Sequence, residues 1–521
     1  MENLHPAPSA MTGRRKIYTD APAITSDNII KVLQNAMADH GINAGEANYL
    51  IRYEAGVQPL QREKNYRPEI DVQCVDNVAA EITNFKESYV WGSDITLVQR
   101  GESDHGKVDE VDAVSLLNEQ YEIIGGRMMN QELGRFVEIC GVCPVYIDIN
   151  TEWSDENDAY FKKVVLDPRT SFVVYSSYYV DRRPMLGVTF RMDELGTTYF
   201  TAFTADTRYE IRNMMQITNG EKKDTWSEMS RSGERNPLGM IPIIEYSRAI
   251  DRTGCFERQL SEMDSLNIMV SDFTNDIDQN TQAIFLGVDI EFPKDPVTGE
   301  YIKPSNGDWL LVHSNEQGHP KADPLTVDYN YDGILQNIAA RRALILEKCF
   351  VPQRNNDSGG STGIAMSDAT GWTAAENDAA REQLIIDTVK MQEIKLVLKA
   401  LSISPDIDRS SPMLQLRAFD IQPKSSRQKT YELTVKANAF ATLVSHGIYG
   451  KHAIDLINAF PDPNQVWADS KTLIEKYQKN IFEKQTATSG GTGGFGEKAS
   501  NADRTMSDDS DQIGNSPVID K

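Results

Sequence analysis

Apolar residues recur at steps of three and four from Phe256 onward: Phe256, Leu260, Met263, Leu266, Val270, Phe273, Ile277 and Ile284. That spacing places them along one side of a helix. Breakers precede it at Asn236-Pro237-Leu238-Gly239 and Ile241-Pro242, and Asp251 to Gly254 supply turn and capping residues. Glu262, Asp264, Asp272, Asp276 and Asp278 stand between the apolar positions, so one face packs and the other is acidic. From Val288 to Phe292 the pattern alternates as a strand does, Pro293 to Gly299 is turn chemistry, and Trp309 to Val312 is a second short strand. Gly333 to Phe350 is helical again, with Ile334, Ile338, Ile345 and Phe350 at helical spacing and Pro352 just beyond its end. These elements predict a protruding helical hairpin with a β tip, whose apolar side can be buried only against neighbours.

The flanks read as attachments to that pair. Met1 to Ser26 is polar and proline-bearing and predicts a flexible arm. Asp27 to Ala38 and Ala44 to Tyr53 read as two short helices, Asp76 to Val90 as a third, and Ile95 to Val98 as the start of a strand. Glu102 to Glu110 is an acidic loop, and Val111 to Cys140 is a long helical region interrupted at Gly125-Gly126. A β-rich block between Val142 and Ile211 completes an α+β domain ending near Arg235. Beyond the hairpin, Gln353 to Thr362 is too polar to pack, and Gly363 to Leu401 is helical. Gln415 to Ile421 alternates as a strand, and Ser426 to Val444, Lys451 to Ala459 and Pro463 to Phe482 read as helices. From Thr486 the composition collapses into Ser, Gly, Thr and Asp, which predicts a disordered tail. The fold class is α+β, predominantly helical.

Composition narrows the function. The chain of 521 residues has room for two to four domains, and no window approaches the apolar length of a membrane span. No apolar run follows Arg14-Arg15-Lys16, so a secretory signal is not expected and the protein reads as soluble and made inside the cell. Five cysteines are too sparse and odd a set for a disulfide framework. A formal net charge of -24 repels phosphates, which argues against a nucleic-acid binder of the basic-patch kind. It suits a surface that DNA slides past.

Candidate chemistry is thin. Cys140-Gly141-Val142-Cys143 has dithiol spacing but precedes a strand, whereas a redox cysteine sits at a helix N-terminus that lowers its pKa; small residues at a packed junction are the better account. His313 and His319, and His446 and His452, are six apart, which does not stack them on one helix face. Gly359 to Gly363 lacks the Lys-Ser/Thr of a nucleotide-binding loop. Neither catalytic activity, cofactor nor metal is expected.

Several segments, in this order and spacing, carry a family resemblance: Tyr49 to Pro59; Tyr89-Val90-Trp91-Gly92-Ser93-Asp94-Ile95, with Asp94 where a proline is usual; and Asn236 to Ile244 leading into the first long helix. Leu266-Asn267-Ile268-Met269-Val270-Ser271-Asp272 within that helix and Ser361 to Met366 beyond the second complete the set. Over roughly residues 45 to 480 the chain resembles the portal proteins of tailed bacteriophages, the siphophage head-to-tail connectors. The resemblance implies a twelve-subunit ring at the capsid vertex of the virion, through which a terminase pumps double-stranded DNA and which later joins head to tail. It implies a wing at 26–252, a first stem helix at 253–286, a clip at 287–330, and a second stem helix at 331–350. A tunnel loop at 351–372, a long helix returning to the wing at 373–425, and a crown at 426–482 follow, with the arm at 1–25 and the tail at 483–521.

On that resemblance Gln353, Arg354, Asn355, Asn356, Asp357, Ser358, Ser361 and Thr362 are expected to face DNA, with Arg341, Arg342 and Lys348 as weak cationic contacts. Phe256, Leu260, Met263, Leu266, Val270, Phe273, Ile277, Ile338 and Ile345 are expected to pack the stem, and Ile290, Phe292, Trp309 and Leu311 the clip. Expected partners are further copies of the chain, the major capsid protein, the terminase large subunit, head-completion or adaptor proteins and the DNA itself, with no membrane. The rival reading is a non-catalytic adaptor or scaffold with an antiparallel coiled-coil hairpin.

Overall fold

In the computed structural model the described residues are 11–60, 70–92, 95–100, 107–108, 111–155, 157–218, 221–281, 285–292, 294–297, 299, 309–313, 320–324, 330–353, 371–425, 432–457, 466–467, 469–477 and 479. In chain order they form β1 (Ile17–Thr19), α1 (Ile29–Glu54), α2 (Val78–Lys86) with a π-turn at Glu87–Trp91, β2 (Ile95–Gln99), β3 (Lys107–Val108) and β4 (Val111–Asp112). Next come α3 (Ala113–Ile123), α4 (Gly126–Cys140), β5 (Val142–Ile149), β6 (Phe161–Val165), β7 (Ser171–Ser176), β8 (Pro184–Met192), β9 (Thr198–Phe203), β10 (Thr207–Thr218), β11 (Glu221–Glu228), β12 (Glu234–Arg235) and β13 (Ile243–Ser247). The hairpin region holds α5 (Leu260–Thr281), β14 (Phe285–Val288), β15 (Trp309–Val312), β16 (Lys321–Pro324) and α6 (Tyr331–Lys348). The chain then forms α7 (Trp372–Ile403), β17 (Ile421–Ser425), α8 (Glu432–Ser445) and α9 (Gly450–Ile457). The architecture is mixed α+β.

The largest sheet runs β1-β7-β8-β9-β10-β11, with β12 on β10. Its strands pair antiparallel except β1, which joins β7 in parallel. One face is covered by the first half of α1, where Ile29, Val32, Leu33 and Ala36 meet Val174, Leu186, Val188 and Phe200. A smaller antiparallel sheet, β13-β5-β6, packs with α3, α4 and α7 around Leu133, Val145, Phe161, Tyr246, Ile394 and Val397. The alternation of buried and exposed positions in β6 is what a half-buried strand dictates.

Four local expectations are corrected. The arm is no loose tail over residues 11–25, since Ile17 is 2% exposed in β1 and Arg14 is buried deeper in the chain. The two short helices are one helix of 26 residues. Gly41 and Gly45 lie inside it with open space where a side chain would be. Each Gly costs ~1 kcal/mol relative to Ala, and burial of apolar residues on both flanks outweighs that. The strand expected at 288–292 is four residues long and earlier, because Asp289 takes a left-handed φ of 54° that ends β14. The alternation at 415–421 marks which side chains face the core rather than a strand. Leu416 and Asp420 bond back to the carbonyls of Met413 and Arg417 in tight turns, and pairing begins at Ile421. The tail from Thr486 lies outside the described residues.

Candidate functional site: the helical pair and its sheet

α5 and α6 run antiparallel: Phe273 meets Tyr331 edge-to-face at one end, and Glu262 meets Lys348 at 3.8 Å at the other. At the start of α5 the apolar side is buried inside its own chain. Phe256, Leu260, Met263 and Leu266 are at most 6% exposed and pack with Leu50, Tyr53, Val78, Ile82, Ile139, Ile345 and Leu346, which come from α1, α2, α4 and α6. Val270 and Ile338 lie half-buried on the edge of that cluster. Burial against neighbours alone is therefore corrected for this end of the pair. Further along, Ile277 is 42% exposed.

The same end of the pair, its root, holds polar ties. Tyr53 stacks on Phe256 and donates its hydroxyl to Asp264 Oδ1 at 2.7 Å. Burial pushes the Asp264 carboxyl up, and the Tyr53 bond works against that. Arg14, from the segment expected to be loose, donates to Glu257 Oε1 at 2.6 Å and stands 3.1 Å from Glu46. Glu257 also accepts from the Gly13 and Gly254 amides, which caps the turn that opens α5. Behind the root, Lys86 and Arg248 meet Asp378, and Arg248 also meets Glu138 at 3.0 Å. Burial opposes ionisation of Asp378, but Lys86 and Arg248 outweigh it and hold that carboxyl low. Glu382 is held well above the usual range by burial and by Glu138 beside it.

Past Leu266 the buried side of α5 turns polar. Asn267, Ser271 and Asn275 are 0–1% exposed and follow one another four residues apart. They grip the segment before α2 at every second residue. Asn267 Oδ1 accepts from the Asp76 amide at 2.9 Å. The Ser271 hydroxyl accepts from Cys74 N–H at 3.0 Å and donates to Cys74 O at 3.1 Å. Asn275 accepts from Val72 N–H at 2.8 Å and donates to Val72 O at 3.0 Å. Four helical residues rise ~6 Å and two residues of extended chain ~6.6 Å, so the two periods match and side chains replace a strand partner.

The acidic side of α5 is partly neutralised from α6. Arg341 and Lys348 reach Glu262, and Arg342 pairs with Asp76 and Glu81. The three cations expected to touch DNA thus each meet an acid of α5 or α2 within the chain while staying about two-fifths exposed. Being half-exposed, these pairs are each worth little, under ~1 kcal/mol.

At the far end of the pair, β14 lies between β15, its parallel partner, and β16, its antiparallel one. Trp309 stacks on Phe285 at 5.0 Å between ring centroids, and Phe292 meets it edge-on. Ile290 follows the strand and is half-buried. Leu310, Leu311 and Val312 on edge strand β15 are 52, 40 and 44% exposed. After α6, Phe350 turns left-handed, and Pro352 lies beside Gly371, where an added Cβ would be 3.9 Å from Pro352 Cα. Gln353 lines a cleft of about 1230 Å³ at this point, with Phe85, Arg342 and Trp372. Arg354, Asn355, Asn356, Asp357, Ser358, Ser361 and Thr362 lie outside the described residues.

The dithiol spacing falls on a helix-to-strand junction, α4 ending at Cys140 and β5 starting at Val142. Both thiols are buried, and burial pushes Cys140 up to about 12, opposite to what a redox nucleophile needs.

A family model described as phage portal protein, SPP1 Gp6-like, matches residues 37–395, from within α1 to within α7. The chain belongs to that family. No curated protein matches this portal protein. The matched span contains the helical pair, its sheet and the domain that anchors them. Among the described residues of this portal protein no helix is long and apolar enough to cross a membrane. The Asn267-Ser271-Asn275 ladder and the Arg14 tie were missed as functional groups. The ladder left a stripe of polar residues at the helical step beside an apolar repeat that continues through Val270, Phe273 and Ile277, whereas Arg14 left no signal.

Proposed function

We propose that the protein forms the portal ring at one vertex of a tailed-phage capsid, a passive conduit for double-stranded DNA in packaging and ejection. The observation that carries this reading is the family match over residues 37–395, which spans the whole helical pair. α6 supports it: of 18 residues only Ile345 and Leu346 are buried, while Leu335 and Leu344 are 48 and 45% exposed. In a ring, further copies of the chain would cover these leucines. In this reading α5 and α6 are the stem and the β14–β16 sheet is the clip. Residues 26–252 and the return near 405–425 are the wing, and 426–482 the crown. Residues 351–372 are the tunnel loop, whose described ends at Pro352 and Gly371 lie side by side. The clip presents an apolar edge strand to neighbouring copies, the terminase large subunit and head-completion proteins, the wing meets the major capsid protein, and the assembly resides in the virion. ATP turnover belongs to the terminase.

Mass measurement and electron microscopy of the purified chain test this. Twelve chains of 58.4 kDa give about 700 kDa and a particle with a central hole; a monomer or open fibre refutes the ring. Robust ATP turnover by the purified chain refutes the passive role. Deleting residues 355–362 is expected to impair DNA retention, and unaltered packaging and retention would remove the loop from the DNA path.

A further inference from the structure

A separate cleft of about 560 Å³ opens between β2, the end of α3, the start of α4 and α7, away from the helical pair. Lys390 and Asn130 line it, 2 and 8% exposed. Lys390 Nζ donates to Glu393 Oε1 at 2.6 Å, and Lys163 Nζ reaches the same oxygen at 3.3 Å. Lys163 also donates to Asn130 Oδ1 at 3.2 Å, and Glu393 Oε2 accepts from the Tyr246 hydroxyl at 2.6 Å. Lys163 and Glu393 have fully buried side chains. Two ammonium groups thus share one carboxylate, and Glu393 is the acid that either of them meets among the described residues.

Burying a charge without a counter-charge costs several kcal/mol, so an excess cation beside a cleft calls for an anion in it. An ammonium has three donors. One of those on Lys390 is used by Glu393, and Nζ also sits 4.3 Å from the centre of the Tyr121 ring. A third remains for the cleft. Gly126, Arg127 and Met128, the first turn of α4, line the same space, and their amides have no acceptor within the helix. We propose that this cleft binds a small tetrahedral oxyanion of the phosphate or sulfate class, held by the Lys390 ammonium, the Asn130 amide and the opening turn of α4. Arg127 stands at the mouth as a second cation and Glu122 as an opposing acid. Burial lowers Lys390 to about 8, with Glu393 working against that and Lys163 adding to it. The tyrosines facing it, Tyr121 and Tyr246, are held far above neutral by burial and stay uncharged. Affinity therefore falls as pH rises through about 8.

The test is a thermal-shift titration of the full chain with sodium sulfate, whose charge is constant from pH 7 to 9, against sodium chloride at equal ionic strength. Sulfate stabilises any fold non-specifically, so the readout is the difference between the wild type and Lys390→Met. That variant leaves a one-to-one Lys163–Glu393 pair and is expected to fold. The wild type should show a saturable extra shift, absent in Lys390→Met and roughly tenfold weaker in affinity at pH 9 than at pH 7. Equal shifts in both proteins, or a wild-type response independent of pH, overturn the proposal. Should Lys390→Met not fold, Arg127→Ser at the exposed rim replaces it, with weakened binding expected and unchanged binding, together with a flat pH response, counting against the site. Replacing sulfate by a nucleoside 5′-monophosphate separates the sources: competition with sulfate assigns the site to a nucleotide's phosphate, and its absence confines it to a free oxyanion.

Discussion

Ser271→Ala removes one hydroxyl and little else, because the residue is fully buried and the change opens almost no space. The hydroxyl makes two bonds to one residue of the strap formed by residues 72–76 before α2, accepting from Cys74 N–H and donating to Cys74 O. Each bond is worth about 1 kcal/mol net, and a buried group left unpaired costs a further ~1–3 kcal/mol. Cys74 is partly accessible, so water re-satisfies some of the loss. The expected cost is about 2 kcal/mol, and the rungs at Asn267 and Asn275 confine it to the strap. At ~1.4 kcal/mol per tenfold, the Cys74 amide should exchange roughly 30 times faster in hydrogen–deuterium exchange. Ser261→Ala, on the exposed side of the same helix, should change nothing beyond ~0.5 kcal/mol. A strap whose exchange stays within threefold of the wild type refutes the ladder as a latch. So does a uniform acceleration across α5, α6 and the strap, which would mean that the hydroxyl supports the whole root.

Arg14→Met leaves Glu46 and Glu257 buried without their cation and should cost about 3–5 kcal/mol in urea unfolding, while a cost below ~1 kcal/mol would return residues 11–19 to the status of a loose arm. Gly134→Ala sets a methyl 2.3 Å from Trp91 Cγ and should lower stability by about 1–3 kcal/mol, read from the denaturation midpoint. Glu382 has its folded pKa raised by burial and by Glu138, so its favourable contribution is complete below the ordinary carboxylate value and is lost as pH rises toward the raised one. Glu382→Gln keeps a neutral side chain there and should gain stability relative to the wild type between pH 5 and 8; parallel stability–pH curves would show that Glu382 is ionised throughout.

Where the apolar repeat coincides with burial the sequence was legible: the steps from Phe256 to Leu266 give the axis and buried side of α5, and Gly125-Gly126 marks the break between α3 and α4. Pattern failed where the buried partner is polar or distant. The ladder carries no apolar signal at all, and Arg14 reads as one of three basic residues until Glu257, 243 positions away, is brought beside it. The same holds for Lys163, Lys390 and Glu393, three charges from β6 and α7 that look like solvated surface in the sequence and meet in the core. Short strands were misplaced by a few residues, since backbone turns such as the left-handed Asp289 leave little trace in composition.

The distribution of burial along the helical pair bears on how the proposed ring is held together. Its root is completed within the chain, so each copy can present a fixed wall segment before any neighbour arrives. Its outer surface is not: Leu335 toward the far end of α6, Leu344 beside the buried Ile345 and Leu346, and Leu310 and Leu311 on β15 remain 40–52% exposed. Fully burying a leucine contributes about 1.5–3 kcal/mol, so covering the exposed half of each gives roughly 1 kcal/mol. Four such residues supply a few kcal/mol per contact, too little to hold a pair of copies once the entropy of association is charged against it. Ring closure changes that balance, because the last copy gains two contacts while losing its freedom once. The exposed leucines therefore favour a closed ring over free dimers, and a double change of Leu335 and Leu344 to Gln should leave the monomer folded while shifting the particle distribution from rings to single chains.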